Sequence, residues 1–145
     1  MQTNSFSDST LARLREVGFA ESHLVRASPE GKSFGDAEVV FRVGTLLLRI
    51  VRERGQEFVD LATSATPDKF HHFDDVEIAM GWKTIDEVLA MREPEHLTRV
   101  LARLSQHFAE LDEASSAERE RFTARVESAA RDRGDKFTSR LRRKE

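Results

Sequence analysis

The chain contains no cysteine and no tyrosine, a single tryptophan, three prolines and seven glycines. Without cysteine there is no disulfide, no thiolate metal site and no cysteine nucleophile. Without tyrosine as well, the residues open to nucleophilic or acid–base work narrow to Ser, Thr, His, Lys and the carboxylates. Long apolar runs are missing too: Leu46-Leu47-Leu48 is broken by Arg49, far short of the roughly 20 residues a membrane span needs. Neither sign of charge dominates, since 23 Lys and Arg face 26 Asp and Glu for a net of −3. So small an excess argues for neither nucleic acid nor membrane as a partner. The opening MQTNSFSDST has no basic n-region and no apolar h-region. A soluble, cytoplasmic protein of bacterial type is the expectation, with no cofactor.

What is present is charge, at 34% of residues, over a modest hydrophobic content of 39%. At 145 residues the chain fits one domain, 1–145, able to bury about two-thirds of its unfolded surface. Its sheet-containing part is expected over about 19–91 and its helical part over about 84–145. The charge is uneven. Residues 1–92 hold 11 Lys and Arg against 15 Asp and Glu, and residues 93–145 hold 12 against 11. The acidic share therefore lies on the sheet, and Arg140, Arg142, Arg143 and Lys144 form a small basic end.

Hydrophobic spacing organises the rest. Residues 8–17 read as a short helix capped by Ser7 or Asp8, with the stripe Leu11, Leu14, Val17 and a C′ glycine at Gly18, after which Phe19 can fold back on the last turn. Residues 23–28 read as an edge strand, and Pro29-Glu30-Gly31-Lys32 as a turn. Residues 37–43 alternate, with Val39, Phe41 and Val43 on one face. Gly44-Thr45 is a two-residue turn, 46–52 the next strand, and 52–56 a hairpin tip in which Gly55 supplies positive φ. Residues 57–62 return. A polar loop is expected over 63–75, and 75–82 is ambiguous between short helix and irregular chain. Thr84-Ile85-Asp86-Glu87 is a capping box opening a helix that carries Ile85, Val88 and Leu89. Pro94 starts another, over 95–113, with Leu97, Val100, Leu101, Leu104, Phe108 and Leu111 at clean 3–4 spacing. Ser115 to Glu118 reads as a second capping box. The last stretch has the thin stripe Phe122, Val126, Ala129 or Ala130, Phe137 and Leu141, with Gly134-Asp135 expected to kink or end it. The class is α+β: an antiparallel β-meander of three to four strands packed by helices, with a C-terminal helical hairpin. Helix 95–113 should enter the core, and 116–133 either folds back on it or serves a partner.

Chemistry is thinly represented. His71-His72-Phe73-Asp74-Asp75 is the one cluster of metal-ligand types, but adjacent side chains point apart and no HExxH spacing accompanies it. A solvated loop whose Asp74 or Asp75 caps the next helix accounts for it, and no metal is expected. Gly31-Lys32-Ser33 mimics the tail of a phosphate-binding loop, but Arg26 stands where the first glycine belongs. His96 and His107, eleven apart on the 95–113 helix, are too distant to share a ligand. In the run 118–133 acidic and basic residues alternate, the mark of a solvated helix rather than a phosphate track. Arg49, Arg52 and Arg54 with Glu53, Glu57 and Asp60 describe cross-strand ion pairs on an open sheet face, or a charged recognition surface. Trp82, between Gly81 and a helix start, covers one end of the core or anchors an interface.

The run from Leu46 to Leu61, LLLRIVRERGQEFVDL, is similar to small bacterial proteins in which a strand ending in an Arg-acid-Arg-Gly-Gln turn returns through an aromatic-Val-Asp strand. There a polar loop and a helix near a tryptophan follow. The layout resembles uncharacterised bacterial proteins and immunity proteins of polymorphic-toxin systems, contact-dependent inhibition among them. The resemblance covers about residues 19–91 and leaves out the helices from 95 onward. It implies a non-enzymatic cytoplasmic protein that binds one toxin domain and blocks its active site. The contact residues expected are Arg52, Glu53, Arg54, Glu57, Asp60, Asp74 and Asp75, with Trp82 as an anchor. The alternative is an oligomeric adaptor that pairs through its C-terminal helices. A small metal-dependent enzyme built on His71, His72, Asp74 and Asp75 stands third.

Overall fold

The computed structural model describes residues 5–28, 37–93 and 95–143. The turn expected at 29–32, the Gly31-Lys32-Ser33 mimic, Pro94 and Lys144 lie outside the described residues. The chain runs α1 (Ser5–Glu16), β1 (His23–Ala27), β2 (Ala37–Val43), β3 (Leu46–Glu53), β4 (Gln56–Thr63), β5 (His71–His72), α2 (Phe73–Ala79), α3 (Ile85–Ala90), α4 (Leu97–Gln106), α5 (Phe108–Ala117) and α6 (Arg119–Arg143). The class is α+β, and the five strands pair antiparallel in sequence order.

Turn chemistry builds the meander. Gly44, at φ 60°, begins the two-residue link between β2 and β3, where Val43 pairs with Leu46. Arg54 and Gly55, at φ 52° and 78°, link β3 to β4, where Glu53 pairs with Gln56. Positive φ at both central positions is the I′ geometry, whose twist matches that of the flanking strands. Register then lines up apolar rows: Val39 beside Ile50 and Ile50 beside Val59, Phe41 beside Leu48 and Leu48 beside Leu61. Against this face pack Leu14, Phe73, Val76, Leu101, Leu104, Leu111, Phe122 and Val126, so that all helices except α3 place buried residues in one cluster. The opposite face carries a smaller cluster of Val40, Leu47 and Ala62 with Phe70 against it. There Arg49 bonds Asp60 at 2.7 Å and stacks 4.3 Å from the Phe70 ring.

Helix α1 ends as its glycine requires. Gly18 sits at φ 110°, its N–H reaches Arg15 O at 3.2 Å, and Phe19 N–H reaches Leu14 O at 2.9 Å. That pair of bonds is the Schellman pattern, and it buries Phe19 to 6% exposure. The Thr84 capping box forms both of its bonds.

Five expectations need correction. Among the described residues the sheet has five strands rather than three or four, because His71 and His72 pair with Leu61 and Asp60 inside the stretch expected to be a polar loop. Ser7 and Asp8 lie within α1 instead of capping it: buried Phe6 pulls the helix further toward the N-terminus, and Thr10 Oγ1 donates to Phe6 O at 2.8 Å. Helix 95–113 is two helices parted at His107, whose φ −106°, ψ 11° leaves the helical region. The break lets the Phe108 ring meet Phe19 at 5.4 Å. His96, being the cap of α4, is consequently not on a common helix with His107. Ser115 and Ser116 form no capping box, because α5 continues through them and both hydroxyls donate back to Asp112 O, at 3.3 and 2.6 Å. Finally, α6 is unbroken for 25 residues through Gly134, about 37 Å by helical rise. One glycine costs a helix about 1 kcal/mol. Ion pairs on either side, Arg133 to Asp75 at 2.6 Å and Lys136 to Asp86 at 2.7 Å, offset it.

Candidate functional site

The feature with most chemistry is a buried charge network joining α2, α4 and the two segments that flank α3. Glu77, fully buried, takes two bonds from the Arg103 guanidinium, Nε to Oε2 at 2.5 Å and Nη2 to Oε1 at 2.8 Å. Arg103 also holds Glu95, Nη1 to Oε2 at 2.8 Å and Nη2 to Oε1 at 2.7 Å. Lys83 Nζ stands 3.1 Å from Glu95 Oε1 and 3.4 Å from Glu77 Oε1. Two carboxylates thus meet two cations with no net charge, the condition under which burial of ions is tolerated. The bonds from Arg103, reinforced by those from Lys83, hold the Glu95 carboxyl down at about 2 against an ordinary 4.5. The same two carboxylates hold the Arg103 guanidinium still more firmly protonated than usual.

Trp82 belongs to this assembly. Its backbone N–H donates to Glu77 O at 2.9 Å, and its ring stacks on His107 with centroids 4.5 Å apart. The stack packs on the main cluster and is half-buried, so the tryptophan closes one end of the core.

Beside the network opens a cleft of about 240 Å³, walled by β4, β5, α2, α3 and the segment leading into α4. Its buried apolar liners, Val59, Phe73, Val88 and Leu97, make the floor, to which the buried Glu77 of the network also contributes. Exposed Met91, Arg92 and Glu93 with half-buried Glu57 and Asp74 make the rim. A second hollow of about 310 Å³ shares Glu57, Glu93, Glu95 and Leu97 with the first and extends it along Gly55 and Gln56 to the β3–β4 hairpin. The two form one groove, apolar below and rich in carboxylates above. Glu57 is tied to Arg13 at 3.0 Å, whereas Glu93 is exposed and makes no ion pair among the described residues.

The residues singled out in the sequence separate into several places. Glu57 and Asp74 come together on the cleft, whereas the exposed Glu53 and Arg54 line neither hollow and only adjoin Gly55, the liner at the hairpin end. Arg52 pairs with Glu57 across the strands and lies 4.6 Å over the Phe6 ring. Asp60 is on the opposite face of the sheet with Arg49. Asp75 points away from the cleft, 4% exposed, and receives Arg133 Nε at 2.6 Å; that carboxylate holds the Arg133 guanidinium more firmly protonated.

The run from His71 to Asp75 disperses in the same way. His72 Nδ1 accepts the Asp74 N–H at 3.1 Å and so caps α2, where Asp74 and Asp75 sit favourably in the first turn. Burial and the nearby Lys69 hold His71 below the usual histidine range. Among the described residues no group of three or more His, Asp or Glu is placed to share a metal ion.

Glu77, Lys83, Glu95 and Arg103 were not read from the sequence as a unit. They lie on separate elements, and their only local signal is a charged residue, Glu77, directly after the apolar Val76. The C-terminal stripe also divides. Phe122 and Val126 are buried at 2% and 0%, while Phe137 and Leu141 stay about half exposed. No protein-family model, curated protein or solved structure matches the chain.

Proposed function

We propose that the chain is a non-enzymatic protein-binding module that neutralises a bacterial toxin domain, as immunity proteins do, and that it binds through the groove between the β3–β4 hairpin and α3. The observation that carries the reading is the groove itself: an apolar floor under a rim where Glu57, Asp74 and Glu93 outnumber Arg92. Such a surface fits a partner segment with an apolar anchor flanked by Lys or Arg. Apolar burial supplies affinity there, and the carboxylates supply orientation and on-rate. The network behind it is internally paired, which holds Glu77 and Glu95 in place before a partner arrives and leaves the exposed Glu93 to meet a cation of the partner.

The test is a pull-down from source-cell lysate with the tagged chain, read by mass spectrometry. One stoichiometric partner is expected, a basic domain at the C-terminal end of a large secreted protein encoded nearby. The double variant Glu53→Lys/Glu93→Lys should release it without changing the thermal midpoint. Recovery of the chain alone, or a partner that the variant retains, would overturn the reading.

A further inference from the structure

A second surface lies at the far end of α6. Among the described residues four large apolar side chains are exposed, and the two most exposed, Phe137 at 52% and Leu141 at 49%, are four residues apart on one helix. That spacing puts them on one face. With Leu89 of α3 they line a groove of about 380 Å³ whose remaining liners are Arg140 and Arg143. From Lys136 to Arg143 the helix carries four cations and no anion. Cations near a helix C-terminus are favoured by the macrodipole, which accounts for some of them. Lys136 and Arg140 both converge on the single carboxylate of Asp86, at 2.7 and 2.5 Å. Arg143, a liner of the groove, remains exposed.

We propose that this groove docks an acidic amphipathic segment of another protein. An apolar side chain of that segment seats between Leu89, Phe137 and Leu141, and its carboxylates meet Arg140 and Arg143. The charge selects this occupant over a second copy of the chain, because two-fold pairing would set one cationic cluster against its twin. It selects a protein over a membrane because the apolar surface is a slot of three residues, not the long apolar face of an interfacial helix. The site is separate from the acidic groove: α3 gives Val88 to the cleft and Leu89 to this slot.

The experiment uses the full chain and a fluorescently labelled helical peptide with Leu and Phe four residues apart and Glu at the remaining exposed positions. A peptide with Lys in place of every Glu is the control. The Glu peptide should bind at least about tenfold more tightly than the Lys peptide, and added salt should weaken it. Phe137→Ser/Leu141→Ser should abolish binding with the thermal midpoint unchanged, since both side chains are half exposed. Glu53→Lys/Glu93→Lys should leave it intact, which separates failure here from failure of the toxin reading. Equal binding of both peptides, binding of neither, or an unaffected Phe137→Ser/Leu141→Ser variant would overturn the proposal. So would a wild-type dimer that this variant converts to monomer, or sedimentation with phosphatidylglycerol vesicles that this variant loses.

Discussion

Replacing Arg103 by methionine tests the buried network most severely. The change keeps most of the side-chain volume but leaves Glu77, which is fully buried, without the two bonds it receives from the guanidinium. Breaking a buried pair by removing one partner costs about 3–5 kcal/mol, because a charge stays behind in a medium of low dielectric. That is a large part of the roughly 5–15 kcal/mol that holds a domain of this size. Glu95 adds a pH signature. Its carboxyl, held at about 2 against 4.5, contributes stability that is complete above pH 4.5 and lost as pH falls toward 2. The unscreened shift corresponds to about 3 kcal/mol. With the side chain 21% exposed, about 2 kcal/mol survives solvent screening. Urea unfolding followed by the fluorescence of Trp82, which stacks at the edge of this network, reads both effects. Arg103→Met should be less stable than wild type by at least about 3 kcal/mol at pH 7. The gap should narrow between pH 4.5 and 2, because the stability that Arg103 gives through Glu95 is lost from the wild type over that window. A variant within about 1 kcal/mol of wild type at pH 7, the value of an ordinary surface pair, or a gap independent of pH, would refute the reasoning.

Other consequences are smaller and checked by thermal or urea denaturation. Gly44→Ala should cost about 1–2 kcal/mol, since φ is 60° and the added Cβ would lie 3.1 Å from Phe108 Cζ. Gly134→Ala should instead stabilise by about 0.5–1 kcal/mol, because the position is helical and nothing lies within 4 Å of the new methyl group. Thr84→Ala removes the bond that the Thr84 hydroxyl accepts from Glu87 N–H, leaving only the backbone half of the α3 capping box, and should cost about 1 kcal/mol. Asp86→Asn releases Lys136 and Arg140, which together hold the Asp86 carboxyl below its ordinary range. Hydrogen exchange over residues 136–143 should then accelerate while that over residues 119–133 is unchanged.

Much of this architecture was legible because it is written in local chemistry. The strand bounds 37–43 follow from alternation, and the two hairpins follow from Gly44 and Gly55, where the turn geometry leaves few alternatives. The ends of α1 and α3 follow in the same way from Gly18 and from the Thr84–Glu87 pair. Elements whose cause is distant were not legible. Strand β5 is two residues long and exists because Asp60 and Leu61 offer an open strand edge. The break at His107 leaves the 3–4 spacing of Leu104, Phe108 and Leu111 undisturbed, so periodicity gives no sign of it. Gly134 reads as a helix end until Asp75 and Asp86 are known to hold the helix from other elements. The candidate groove was legible only in part. Glu57 and Asp74 were singled out as exposed charges, but Glu93 and the network around Arg103 depend on α2, α3 and α4 meeting β4.

The measurement that tests the central claim most directly is calorimetric titration of the captured partner domain into the wild-type chain and into Glu53→Lys/Glu93→Lys, at low and high salt. A groove that works by apolar anchoring under a carboxylate rim predicts one-to-one binding that weakens with salt in the wild type. It also predicts a loss of at least about tenfold in affinity for the charge-reversed chain. Equal affinity for the two chains, at either salt concentration, would contradict it.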